Sequence, residues 1–214
     1  MDNLNQSYFL SLQAYDSELD QLRAFAEAHQ VPIVDQLSLD MIKQIIRIHQ
    51  PTEILELGTA IGYSSMHFAS VSPDINVTTI ERNEEMIAYA KKHFEQFRYT
   101  DQIRLIEADA AQAFSKVNDR TYDMIFIDAA KAQSKKFFEL YSPLLKDGGV
   151  IITDNVLYHG FVANIDIVRS RNVKQMVKKV QKFNQWLSEQ SDYKTNFINM
   201  DDGLAISIKE HKND

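Results

Sequence analysis

Cysteine is absent from the 214 residues. That excludes a disulfide scaffold, a zinc–thiolate centre and a thiol nucleophile. Proline and glycine are scarce, at four and six residues, too few for a collagen-like or low-complexity chain. No apolar run approaches the roughly 18 residues of a membrane span. The first residues, Met1 to Gln6, show no basic segment followed by an apolar core. They predict no signal peptide, and a cytoplasmic location fits. No repeat occurs, and no linker is long enough to split domains. The net charge of -7 excludes a protein that is basic all over, without excluding basic patches.

What is present is an ordinary globular composition, 44% apolar and 25% charged. At this length a single domain over residues 1–214, burying roughly 70% of its unfolded surface, is the default. The charge is uneven: residues 1–60 hold nine acids and three bases, while residues 129–182 hold ten bases and four acids.

Short runs rich in Ile, Val and Leu recur at 53–57, 76–81, 103–107, 122–128 and 149–154. Strands buried on both faces read this way. Helical periodicity fits 39–50, 63–70, 83–97, 110–116 and 134–145. The alternation predicts an α/β fold, a mostly parallel sheet with helices on both faces. Two late strands, 195–200 and 204–209, flank Asp201, Asp202 and Gly203. That turn signal makes the last strand antiparallel. Upstream, Leu12, Tyr15, Leu19, Leu22 and Ala26 are spaced three, four, three, four, as one apolar helix stripe. Residues 1–30 are therefore expected to form a helical cap, with pairing to a second subunit as the other use of the stripe.

The most informative segment is Glu56-Leu57-Gly58-Thr59-Ala60-Ile61-Gly62-Tyr63-Ser64. It takes a buried strand through a glycine turn into a helix, and open α/β sheets bind ligands beyond such strand ends. Gly58 lets the backbone approach a ligand closely. Ser64 and the first-turn amides can hold a carboxylate. The G-x-G-x-x-G of a dinucleotide fold and the Lys-Ser/Thr of a P-loop are both missing. A G-x-x-x-G loop preceded by an acid suits a cofactor with a cationic amino-acid tail and no phosphate. Glu81 closes the second strand, placed to accept two ribose hydroxyls. Asp109 and Ala110 follow the third strand, where an adenine edge would lie. Singly, each acid could merely cap a helix; three in register point to a nucleoside cofactor.

The same segment resembles the class I S-adenosylmethionine methyltransferases, and within them the metal-dependent O-methyltransferases of the catechol and caffeoyl-CoA type. The resemblance spans about residues 30 to 209. It implies a Rossmann-like, seven-stranded sheet and a homodimer. It implies cofactor contacts from Val34, Glu56, Gly58, Ser64, Glu81, Asp109, Ala110 and Asp128. The chain looks most like the bacterial branch that converts 5-hydroxyuridine at the tRNA wobble position to 5-methoxyuridine.

The fourth strand ends at Asp128, and the fifth ends in Asp154 and Asn155. Two carboxylates and an amide oxygen on one ledge select a hard cation, Mg2+ first, with Ca2+ or Mn2+ also admitted. The plainer alternative is a helix cap and a turn. The resemblance assigns the same three residues to Mg2+. Such an ion would bind a substrate hydroxyl and lower its pKa. Lys131, three residues after Asp128, would lose proton affinity beside a dication and act as general base. Position alone also allows a surface lysine; the resemblance places a catalytic lysine at this offset. A metal is best used by two oxygens on adjacent carbons, as in a catechol or a 5-hydroxypyrimidine. Tyr158, His159, Gly160 and Phe161 either wall such a ring or form a packed loop.

Arg169 and Arg171 are expected to precede a helix bearing Lys174, Lys178 and Lys182 on one face, with Val173, Val177, Val180 and Trp186 inward. The segment reads as a solvated helix face or as the surface for a tRNA anticodon loop, with Arg169, Arg171, Lys174 and Lys178 on phosphates.

Overall fold

The computed structural model describes residues 2–15, 17–129 and 131–211, without the side chains of Asp2, Asn3 and Lys131. Five parallel strands form its centre: β1 (Glu53–Leu57), β2 (Asn76–Glu81), β3 (Ile103–Glu107), β4 (Tyr122–Ile127) and β5 (Leu145–Asp154). Two further strands, β6 (Tyr193–Ile198) and β7 (Leu204–Lys209), complete the sheet, with β7 antiparallel to both neighbours. The order is β3-β2-β1-β4-β5-β7-β6. The chain therefore reverses direction across the sheet between β1 and β4, the switch point where α/β sheets open a ligand crevice.

Alternate residues of each strand feed opposite cores, as the two-residue strand period requires. Ile54, Val77, Met124, Phe126 and Ile152 face α3 (Gln36–His49), α4 (Tyr63–Ala69) and α5 (Glu84–Gln96). Leu55, Leu57, Ile80, Ile125, Ile127 and Ile151 face α6 (Phe114–Val117), α7 (Ser134–Tyr141) and α8 (Arg171–Ser188). Both layers exist because the central strands bury successive positions on both faces rather than every second one.

Strands 53–57, 76–81, 103–107 and 204–209 lie where the sequence predicts them. The differences have local causes. The helix expected over 134–145 ends at Tyr141, since Pro143 lies two residues on in a 3-10 turn. The helix expected over 110–116 shrinks to Phe114–Val117, because Asp109 turns the chain by accepting the Ala111 amide at 2.8 Å and, through its carbonyl, the Gln112 amide. β5 starts four residues early, through a register shift opposite Tyr122 and Met124.

The single N-terminal helix is corrected to two, α1 (Asp2–Ser11) and α2 (Gln21–Ala28). Asp20 accepts the amide of Ser17 at 2.9 Å and its hydroxyl at 2.7 Å in the turn between them. Such local side-chain bonds compete with helix. Leu19, Leu22 and Ala26 join the core over α3 as a cap, whereas Leu12 is 62% exposed. Among the described residues no helix is long and apolar enough to cross a membrane.

Candidate cofactor and metal site

A cavity of about 650 Å3 opens at the carboxyl ends of β1, β2, β3, β4 and β5. Its wall includes Val34, Gly58, Ser64, Glu81, Asp109, Ala110, Asp128, Asp154 and Asn155. The fold thus brings together nearly all of the residues that the sequence nominates for cofactor and metal.

The β1–α4 loop is shaped by its glycines. Gly58 sits at φ +104, and a Cβ there would lie 2.6 Å from the Asp128 carbonyl oxygen. Gly62 sits at φ +84, where a Cβ would strike the Phe94 ring. Between them Ala60 is also left-handed, at φ 45. Its amide is held by Glu81 Oε2 at 3.0 Å. The other Glu81 oxygen accepts the amides of Arg82 and Asn83, each at 2.9 Å. Glu81 therefore faces the cavity with its carboxylate fixed by three backbone donors.

Glu56 departs from the expected cofactor contact. It is fully buried beneath the cavity and does not line it. Ser64 donates to its carboxylate at 2.5 Å, Thr79 at 2.6 Å, and Ser65 donates as well. Burial pushes the Glu56 carboxyl up to about 7, against the pull of these three donors. Ser64, whose hydroxyl hydrogen is engaged below, offers the cavity lone pairs rather than a donor. It cannot also donate that hydrogen to a ligand carboxylate; its lone pairs suit a ligand ammonium.

Asp109 lines the cavity with its pKa held below the usual carboxylate value, first by the Ala111 amide and then by Arg82 at 3.0 Å. The neighbouring Ala110 carbonyl accepts the buried Tyr141 hydroxyl at 2.6 Å. Val34, from the stretch before α3, also lines the cavity.

At the ledge, Asn155 Nδ2 lies 3.1 Å from Asp128 Oδ1, and the Asn155 amide donates to Asp154 Oδ1 at 2.6 Å. Asn155 is left-handed, at φ 65, which turns the chain just past β5. The Asn155 side-chain amide thus meets the Asp128 carboxylate, while its backbone amide holds the Asp154 carboxylate beside it. Among the described residues no cluster of three His, Cys, Asp or Glu could hold a metal. The candidate donors are two acids and an amide, a set for a hard ion. Lys131 opens a 3-10 turn directly after this ledge; its side chain lies outside the described residues.

Tyr158, His159, Gly160 and Phe161 do not line the cavity. They form a loop with left-handed backbone at the first three positions. The turn between β6 and β7 holds it, through the Leu157 amide on the Asp202 carbonyl at 2.8 Å and the His159 amide on the Asp202 carboxylate.

The basic segment is laid out largely as expected. Arg169 precedes α8, while Arg171 is its first residue. Arg169, Arg171, Lys178, Lys179 and Lys182 are exposed and Lys174 is half-buried. Val177 and Val180 are buried, Val173 and Trp186 partly so.

Sequence reasoning missed several wall residues, among them Tyr63, Met86, Tyr89 and Phe137. Each lies on a helix and fits core periodicity, so nothing in the pattern separates it from packing.

A family model described as O-methyltransferase matches residues 11–210. A solved Staphylococcus aureus protein, provisionally described as a caffeoyl-CoA O-methyltransferase, is 64% identical, with a TM-score of 0.93 over 96% of this chain and 99% of its own. A caffeoyl-CoA O-methyltransferase from Populus kitakamiensis is 26% identical, over 94% of this chain and 91% of that protein. An O-methyltransferase from Bacillus cereus, solved in complex with SAH, is 23% identical, with a TM-score of 0.84 over 97% of both chains, and shares the fold.

Proposed function

Since the chain belongs to the O-methyltransferase family, we propose that its cavity binds S-adenosylmethionine and that it methylates a hydroxyl adjacent to a second oxygen, with a divalent cation. The observation that carries this reading is one shared cavity. The glycine loop, Glu81 and Asp109 line the same cavity as Asp128, Asp154 and Asn155.

The cofactor supplies an electrophilic methyl group. Glu81 accepts its ribose hydroxyls, and Asp109 with Ala110 borders its adenine. Lone pairs of Ser64, backed by the Glu56 carboxylate, face its ammonium. The S-adenosylhomocysteine-bound relative from Bacillus cereus supports this choice.

The donor set fits a hard cation. Two carboxylates and an amide oxygen, with no sulfur or imidazole ligand, match Mg2+ chemistry. Asp128, Asp154 and Asn155 would hold it, and it would supply Lewis-acid polarisation of the substrate hydroxyl. Lys131 Nζ would accept the hydroxyl proton, and Asp128, Asp154 and Asn155 would orient the substrate oxygen toward the methyl group.

The substrate in this reading is 5-hydroxyuridine at the tRNA wobble position, whose 5-hydroxyl neighbours the 4-carbonyl. The support is the basic segment. Arg169, Arg171, Lys178, Lys179 and Lys182 are exposed, and none makes an ion pair among the described residues. Phosphate contacts would position the anticodon loop while an unstacked base enters the cavity. A catechol or related phenol is the second reading, favoured by the caffeoyl-CoA relative. Homodimerisation in the cytoplasm completes the proposal; exposed Leu4, Tyr8, Phe9 and Leu12 on and beside α1 offer an apolar face, and sedimentation of the protein tests it.

Purified protein, Mg2+ and S-adenosylmethionine are incubated with tRNA from a strain lacking the enzyme, in parallel with free catechol. Methyl incorporation into hydroxyuridine-containing tRNA supports the first reading. Inert tRNA with fast catechol turnover supports the second.

A further inference from the structure

Arg23 does not line the cavity, yet it holds the wall from behind. It is half-buried on α2. One guanidinium nitrogen, Nη2, donates to the Val34 carbonyl at 2.9 Å and to the Tyr63 hydroxyl at 3.4 Å. Its Nε donates to Gln36 Oε1 at 3.0 Å. The guanidinium carbon lies 5.2 Å from the centroid of the Tyr63 ring. The network continues outward: Tyr63 donates to Gln36 at 3.3 Å, Gln36 to Asp40 at 3.2 Å, and Tyr15 to Asp40 at 2.7 Å.

Val34 and Tyr63 both line the cavity, and they come from different parts of the chain. Val34 belongs to the stretch 31–35, which joins α2 to α3 without regular structure. Tyr63 opens α4 just after the glycine loop. The extended stretch has no ladder to fix it. A planar guanidinium carries donors in a rigid fork and can register several acceptors at once. No lysine reproduces that fork.

We propose that Arg23 is a positioning residue for the nucleoside cofactor, fixing the Val34 carbonyl and the Tyr63 ring as one wall and making the N-terminal cap part of the cofactor site. The proposal rests on the S-adenosylmethionine reading above. A wall ordered in advance lowers the conformational cost of binding. The effect belongs in affinity rather than in the chemical step. It belongs also to geometry rather than charge, since a bare cation here would oppose the sulfonium and leave neutral-sulfur S-adenosylhomocysteine less affected.

The test compares wild type with Arg23→Met, Arg23→Lys and Arg104→Met. The last removes the surface pair between Arg104 and Asp119 on the far edge of the sheet. Affinity for S-adenosylhomocysteine is read by calorimetry, and hydrogen exchange is read in cofactor-free protein at the amides of Val31, Ser38 and Leu39, which bracket the stretch. Both Arg23 variants are expected to weaken binding by roughly tenfold, the scale of one charge-assisted hydrogen bond. The KM for S-adenosylmethionine should rise while kcat at saturation changes by less than about twofold. The three amides should exchange faster in both Arg23 variants, and Arg104→Met should leave both readouts at wild-type values. Unchanged affinity in Arg23→Met, or weaker binding with unchanged exchange, overturns the proposal. Full affinity in Arg23→Lys overturns the geometric account. If wild type itself binds no S-adenosylhomocysteine, the cofactor reading fails instead.

Discussion

The Asp201 carboxylate accepts the backbone amide of Ser38 at 2.8 Å, across 163 positions of sequence. The last hairpin thereby caps the first turn of α3, next to the stretch that carries Val34. The adjoining Asp202 holds the loop after Asn155 through Leu157 and His159. One turn between β6 and β7 therefore braces both the cofactor wall and the loop beyond the metal ledge.

Asp201→Ala should destabilise the fold by about 1–3 kcal/mol, the range for a lost hydrogen bond to a charged group. Asp201 also sits at φ 47, which alanine tolerates less well than asparagine. Asp201→Asn should retain most of the stability. Urea unfolding of the two variants checks this, and an Asp201→Ala variant as stable as wild type would show that the side-chain cap contributes nothing.

Glu56 predicts a pH dependence. Its carboxyl is raised from 4.5 to about 7 in the fold. The folded state therefore holds this proton more tightly than the unfolded chain. The associated stability is fully present below about 4.5 and is lost as pH rises to about 7, by up to about 3 kcal/mol. Glu56→Gln should remove this component. The stability difference, variant minus wild type, should grow between pH 5 and pH 8 in denaturant melts. A difference independent of pH contradicts the assignment.

Tyr141→Phe removes the donor to the Ala110 carbonyl and leaves that carbonyl unpaired in a buried position. A stability loss of about 1–3 kcal/mol is expected, with weaker S-adenosylhomocysteine binding because Ala110 lines the cavity. Calorimetry and thermal unfolding together read both effects.

Glu81→Ala should weaken S-adenosylhomocysteine binding by more than tenfold, since charge-assisted bonds are worth about 1.5–3 kcal/mol each. It also frees the Ala60 amide and loosens the glycine loop. Unchanged affinity would reject the ribose role.

Arg169→Glu combined with Arg171→Glu should cripple tRNA methylation and leave S-adenosylhomocysteine affinity intact, because neither residue lines the cavity. Binding of tRNA to the wild type should weaken steeply with salt, with a log–log slope of roughly −0.7 per phosphate contact on single strands. A double variant that methylates tRNA normally favours the small-molecule reading.

Most of the sheet was legible because its strands are buried on both faces and read as short apolar runs between helical patterns. The ledge was legible because acids follow those runs at Glu81, Asp109, Asp128 and Asp154, and strand ends in a parallel sheet share one edge. Other features depend on contacts distant in sequence. Arg23 meets Val34 and Tyr63 only after α2 folds over α3. Glu56 reads as a cofactor residue because it is the acid before the G-x-x-x-G loop, but it is fully buried beneath the cavity, where Ser64, Ser65 and Thr79 meet it. The N-terminal stripe was periodic across a turn that Asp20 and Ser17 interrupt, a local bond that periodicity does not register.

The most direct test of the central claim is methyl transfer from radiolabelled S-adenosylmethionine to hydroxyuridine-containing tRNA. It is measured with Mg2+ and with EDTA, for wild type and for Asp154→Ala, alongside S-adenosylhomocysteine calorimetry. Transfer is predicted only by wild type with Mg2+, while Asp154→Ala binds S-adenosylhomocysteine nearly as well as wild type. Equal transfer in EDTA and in Mg2+, or full activity of Asp154→Ala, would contradict the metal-assisted mechanism built on Asp128, Asp154 and Asn155.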